Sequence, residues 1–259
     1  VENCQNCNEI ITASFCGNCG QKKYKRIDRK YIWDEIQYTF LHTNKGFLYS
    51  VKNIIKNPGK TAREFIGGNR VNHYKPILLA FVLSGISTFI SFKVIGLSQI
   101  MNTFNSEKKV SSQFMNDYTT IFNSYNSILM LLLIPLFALF TKLAFRKWGN
   151  NYYEHVVINA YVLCFYTLFS IIVTYPIMYL VKDSPSSVLG LTSLSMLVTP
   201  FMLFWFFKEF YPDKHVKNIV GHVFLMMIYM IIGFFLFLIF VIAYAATIGS
   251  EAMEYFKLR

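Results

Sequence analysis

Residues 221–249 read GHVFLMMIYMIIGFFLFLIFVIAYAATIG, a run without one formal charge. A hydrocarbon core of about 30 Å takes about 20 apolar residues to cross as a helix, so this stretch is long enough to span a bilayer. Four more runs reach that length on the N-terminal side, giving expected spans near Ile77–Leu97, Ile128–Phe145, Val156–Val181, Val188–Phe207 and Gly221–Ile248. Lys93 interrupts the first of them, near enough to its end to reach the headgroups along its own methylene stem. The composition agrees: of 259 residues, 54% are hydrophobic and only 15% charged, well under the quarter usual in soluble domains. The fold class expected is an all-α polytopic membrane protein with five transmembrane helices. The first long apolar run begins only near Ile77, so the first span is expected to act as its own insertion signal.

Orientation follows from Lys and Arg in the connections. The net charge is +11. Thirteen of the basic residues fall in Lys22–Lys75, three in Lys142–His155 and three in Lys208–Val220, against five on the alternate side at Lys108, Lys109, Lys182, Lys257 and Arg259. This nineteen-to-five bias predicts a cytosolic N-terminus and a C-terminus on the far side of the membrane.

Ahead of the spans stand two C-x2-C knuckles, Cys4-Gln-Asn-Cys7 and Cys16-Gly-Asn-Cys19, with Gly20 following. Four thiolates at this spacing suit tetrahedral zinc, and the small polar residues between them suit tight turns around sulfur. A ribbon of about 20 residues is too small to hold a core, so the metal is expected to fold it. The competing reading, two disulfides, needs an oxidising compartment, whereas the charge bias puts the segment on the reducing side.

The expected organisation is a zinc ribbon at 1–22, a basic amphipathic juxtamembrane segment at 23–75 and the transmembrane domain at 76–259. Phe47, Leu48, Val51, Ile54 and Ile55 recur at helical spacing while Lys45, Lys52 and Lys56 point elsewhere, and Asn57-Pro58-Gly59 ends that helix. Ile32, Trp33, Ile36 and Phe40 repeat the pattern upstream. The apolar stripe lies either in the membrane interface, drawn to anionic headgroups, or against the spans or a second subunit. Lys60, Arg63, Arg70 and Lys75, beside glycines just before the first span, are candidates for holding a lipid phosphate or a partner, with plain topological anchoring as the alternative. Little aromatic interleaving accompanies the basic run Lys22–Lys30, so no nucleic acid is expected.

The ordered series Cys16-Gly-Asn-Cys19-Gly-Gln, Asn44-Lys-Gly-Phe47, Asn57-Pro-Gly59, Gly67-Gly-Asn-Arg70 and Pro76 resembles a Bacteroidota inner-membrane family of unknown function with an N-terminal zinc ribbon. More distantly, the layout with Asn57-Pro58, Pro76 and Tyr153–Tyr161 resembles the five-span Yip family. That resemblance implies a non-enzymatic membrane adaptor. The zinc ribbon departs from the Yip plan, and the small GTPases that the family's eukaryotic members contact do not transfer to a bacterial chain.

Chemistry inside the expected spans is sparse. They carry no Asp or Glu, and the chain has no nucleophile elbow, zinc-protease motif or Gly-rich phosphate loop. Glu154, His155, Asp213, His215 and His222 gather near one face in the sequence and could bind a second metal, although interfacial histidines more often bond carbonyls or headgroups. Cys164 reads as a small core residue. Ser84, Ser87, Thr88 and Ser91, with Thr192, Ser193, Ser195 and Thr199, read as helix-packing hydroxyls or as the lining of a polar pathway. Pro135, Pro176 and Pro200 are expected to kink the second, third and fourth spans. The expected function is an adaptor or regulatory subunit whose ribbon and interfacial helix engage a protein partner; the alternative is a transporter or lipid-handling protein with an accessory ribbon.

Overall fold

A computed structural model of the protein describes residues 2–4, 6–20, 46–70, 73–107 and 113–248. They fall in two compact units, Val1–Lys45 and Gly46–Arg259. Lys22–Lys30, the upstream repeat at Ile32–Phe40, Lys108, Lys109, and the terminal Lys257 and Arg259 lie outside the described residues.

In the first unit, β1 (Glu2–Asn3) pairs antiparallel with β2 (Ile10–Ile11), Glu2 opposite Ile11 and Asn3 opposite Ile10. Its core is Cys4, Ile11 and Cys16, with Cys7 against them. A unit this short buries little apolar surface to offset its own ordering, which makes the sulfurs of interest as candidate ligands more than as packing.

The second unit is helical. Two short helices, α1 (Gly46–Lys56) and α2 (Pro58–Ile66), precede five helices long and apolar enough to cross a membrane, at Pro76–Val94, Ser124–Ala144, Tyr152–Leu180, Pro185–Phe210 and Val216–Tyr244. These are the five expected spans, with ends shifted by a few residues. The first is α3 (Pro76–Phe89) continued by a π-helical turn over Ile90–Val94; Gly96, with φ +76°, then ends it, and Leu97 opens the next helix, α4 (Leu97–Glu107). The second belongs to α5 (Gln113–Ala144), which extends well beyond the expected start. The third runs through α6 (Tyr152–Phe169), a π turn at Ser170–Thr174 and α7 (Tyr175–Leu180). The fourth is α8 (Pro185–Phe210) and the fifth lies in α9 (Val216–Ile248).

The three prolines expected to kink a span fall into two cases. Pro135 and Pro200 stay inside continuous helices. Pro176 lacks an N–H and its ring crowds the carbonyl four residues back, and the helix widens to a π turn directly before it. The true helix ends also admit Glu154 and Glu209, so carboxylates do enter the third and fourth spans, at their termini.

Helices α1 and α2 do not lie apart from the bundle. α1 buries Gly46, Ser50 and Ile54 along one face, and Ile54 joins the core that also contains Tyr161 and Phe206. The apolar set expected to share one face is therefore split: Phe47, Val51 and Ile54 turn inward, while Leu48 and Ile55 are exposed beside Lys52 and Lys56.

Candidate functional site

The cysteine cluster is built from two matching turns. In the first knuckle the N–H of Asn8 donates to the carbonyl of Cys4 at 2.9 Å, and in the second the N–H of Gly20 donates to the carbonyl of Cys16 at 3.0 Å. The residue after each second cysteine is left-handed, Asn8 at φ +62° and Gly20 at φ +72°. Asn and Gly are the residues that adopt this conformation at least cost. The N–H of Cys4 donates to Glu9 O at 2.8 Å, tying the first knuckle to the hairpin.

The four sulfurs lie within 4.8 Å of one another, with Cys4 to Cys19 and Cys7 to Cys16 each at 3.5 Å. A tetrahedral ion with metal–sulfur bonds of about 2.3 Å requires sulfur–sulfur edges of about 3.8 Å, so the cluster has the size of a coordination shell. Among the described residues this is the one group of three or more Cys, His, Asp or Glu close enough to hold a metal ion. A backbone hydrogen bond at Glu9 favours the Cys7 thiolate, but Cys19, burial, Cys16 and Cys4 outweigh it and push the thiol up to about 12. Four thiols at contact distance cannot all ionise without a cation between them, and a metal would supply that charge.

The juxtamembrane cations are dispersed along α2 and the connection that follows. Lys60 and Arg63 sit one turn apart on α2, Lys60 3.9 Å from Glu64 Oε1. Arg70 donates from Nε to the carbonyl of Phe65 at 3.4 Å and lies over the Phe65 ring at 5.8 Å. Lys75 is exposed at the entry to the first span. Glu64 Oε2 is 3.7 Å from Nε2 of the buried His73, whose ring stands edge-on to Tyr49 and Phe65.

What fixes this platform is Asn57-Pro58-Gly59. Asn57 Oδ1 accepts the N–H of Lys60 at 2.9 Å and so caps α2, and its Nδ2 donates to Glu209 Oε2 at 2.7 Å. Pro58 takes a first-turn position, where its missing N–H costs nothing. Gly59 meets the backbone of α8: a Cβ there would overlap the Phe206 carbonyl oxygen and lie 2.7 Å from Phe210 N. In the sequence the triplet reads as a helix stop, and nothing local marks it as the point where α2 docks on α8.

The groups considered for a second metal are scattered. Glu154 belongs to a capping box, accepting from Asn151 N at 2.9 Å and from Asn150 Nδ2 at 3.0 Å. His222 Nδ1 is 2.7 Å from Asn218 O, and its ring packs on Trp148. His155 is fully buried, and Asp213 and His215 are exposed. Thr192, Ser193, Ser195 and Thr199 each donate to the carbonyl four residues back, so each hydroxyl proton is satisfied by its own helix. Cys164 is buried in the core. A cavity of about 20 Å³ beside Thr199 is otherwise lined by Val162, Phe165, Tyr166, Met202, Leu203 and Phe206.

Five long apolar helices, with a separate four-cysteine unit able to hold a metal ion, define a multi-pass α-helical membrane protein. Residues 44–88 match the family described as "Protein of unknown function (DUF3667)". The match covers α1, α2 and most of the first span, including Asn57-Pro-Gly59 and Gly67-Gly-Asn-Arg70, and does not reach the cysteines. Comparison with curated proteins and with solved structures gave no match.

Proposed function

We propose that the chain is a non-enzymatic adaptor or regulatory subunit of a bacterial inner membrane, in which a zinc-bound ribbon engages a protein partner at the cytosolic face and the helical unit serves as anchor. The observation that carries this reading is the four-sulfur cluster, of coordination size, on a unit that is compact apart from the spans. The charge bias supports a cytosolic ribbon and a periplasmic C-terminus. Zinc is preferred because four thiolates in a closed tetrahedral set are a structural-zinc pattern.

The α1–α2 platform supports a second contact, with anionic headgroups. The carbonyl of Pro76 accepts the thiol of Cys164, twelve residues into the third span. At 1.5 Å per residue the third span therefore overhangs the start of the first by about 18 Å. Helices α1 and α2 pack beside the overhanging turns, Phe65 against Tyr161. In this reading the level just outside the first span is that of the headgroups; Leu48, Ile55, Lys52 and Lys56 face outward there, with Lys60, Arg63, Arg70 and Lys75 as the cations nearest the span. The buried hydroxyls of Ser84, Ser87 and Ser91 in the first span support the alternative of a transporter or lipid-handling protein.

The test is to replace Cys16 and Cys19 with serine and compare what co-purifies from native membranes. The adaptor reading expects a specific protein to be lost while the spans stay inserted. Unchanged partners, with loss of solute or lipid movement when Arg70 or Ser87 is altered, would transfer the assignment to the alternative.

A further inference from the structure

The first and third spans run parallel in one register. Pro76 contacts Cys164, and Ser87 Oγ shares a 2.6 Å hydrogen bond with the Tyr175 hydroxyl; both pairs are 88 residues apart in sequence. In that register Ser84 stands level with the middle of the π turn Ser170–Thr174. Its neighbours on the helix face two different spans. Ser87 faces the third, and Thr88 faces the second through Ser127 at 3.1 Å and Asn126 at 3.3 Å. With about 100° between successive residues, Ser84 lies between those two directions and is aimed into the junction of the three helices. It sits eight residues into a span of nineteen, near mid-membrane.

Ser84 is 4% exposed, and its hydroxyl has no hydrogen-bond partner among the described residues; the same holds for Asn126 Oδ1. In hydrocarbon neither can turn to bulk water, so an orphan there is costly and calls for a partner. Three of the surrounding hydroxyl protons are committed to their own helices, Thr88 to Ser84 O at 2.8 Å, Ser91 to Thr88 O at 3.2 Å and Ser170 to Tyr166 O at 3.0 Å, and the Ser87–Tyr175 bond takes up one more. What remains around the junction is mainly lone pairs. Glu154 and Glu209 are at span ends, and the nearest formal charge along the first span, Lys93, is positive. Among the described residues no carboxylate lies within the first three spans away from their ends, so a cation would lack a close counter-charge there and an anion would find too few donors.

We propose that the junction of the first three spans is a mid-membrane binding site for an uncharged hydrogen-bond donor, of which water is the smallest. The site is independent of the ribbon and of the adaptor reading. It makes Ser84 and Asn126 its primary ligands and gives the π turn a role in opening the third span against the first, as such turns often do at functional sites.

The probe is water itself. Radiolysis of the purified full chain makes hydroxyl radicals from bound water, which oxidise adjacent side chains. Tyr175 should be oxidised faster than Phe145, which is packed against Phe207, Tyr211 and Trp148. Tyr175 oxidation should be lost in Ser84→Ala and kept in Ser84→Thr. The Ser84→Ala thermal midpoint should fall by about 2–4 °C, the shift expected when one hydrogen bond is lost from a chain of this size. Tyr175 oxidation unaffected by Ser84→Ala, or a midpoint that holds or rises as it does when an orphaned hydroxyl is deleted, overturns the proposal.

Discussion

Gly59 lies so close to Phe206 that the two helices carrying them are in backbone contact: an added Cβ would overlap the Phe206 carbonyl oxygen and crowd Glu209 Cβ at 2.8 Å. No side-chain rotation relieves an overlap with backbone, so one helix must move. Gly59→Ala is predicted to destabilise the helical unit by about 3 kcal/mol, the upper end for overpacking, read as a lower thermal midpoint in detergent and faster proteolysis after α1. An unchanged midpoint would show that α2 does not seat on α8 in this way.

Asn57 serves α2 and α8 at once, so its effects should couple to Glu209. Asn57→Ala removes a cap, at about 1 kcal/mol, and also strands the Glu209 carboxylate. Glu209→Ala should then cost less in the Asn57→Ala background than in the wild type. Strictly additive losses in a double-mutant cycle would mean that the 2.7 Å contact contributes nothing.

Acid should loosen the platform through His73. Burial between aromatic rings lowers its pKa below the ordinary value, with Glu64 opposing. A histidine depressed in the folded state takes up protons more readily when unfolded, so stability is full above the unfolded value of about 6.5 and is lost as pH falls through that value toward the folded one. The thermal midpoint is expected to drop between pH 7 and pH 5.5, and to drop less in His73→Phe. Equal slopes for both proteins would remove His73 from the account.

The spans were legible because transfer of an apolar residue into lipid depends on the residue more than on its neighbours; Val216–Tyr244 and Tyr152–Leu180 show as much in their composition. The knuckles were legible because metal ligation fixes residue type and spacing together. Glu209 as the partner of Asn57 was not, since the two are 152 residues apart and nothing local marks the pair. The split of Leu48 and Ile55 from Val51 and Ile54 was equally hidden, because a helical period shows that a stripe exists and not which neighbour covers part of it. Ser170 and Thr174 do not stand out in the sequence, because the hydroxyls of the third span are spaced among large apolar residues and only the register with Ser84 and Ser87 brings them to one junction.

Topology is testable loop by loop. In a background lacking the native cysteines, single cysteines at Arg146 or Lys214 should resist a membrane-impermeant thiol reagent applied from the periplasm, and one at Lys182 should react. Reaction at Lys214 before the inner membrane is permeabilised would invert the assignment.

The metal content of the protein tests the central claim most directly. Elemental analysis of the full chain purified without chelator, beside the Cys16→Ser/Cys19→Ser variant, is expected to give about one zinc per chain in the wild type and none in the variant, with equal helix content in both, because ligation folds the ribbon while the spans need only lipid. Wild-type protein that carries no zinc yet keeps an ordered Cys4–Gly20 segment, or whose four sulfurs prove to be joined as disulfides, would contradict it.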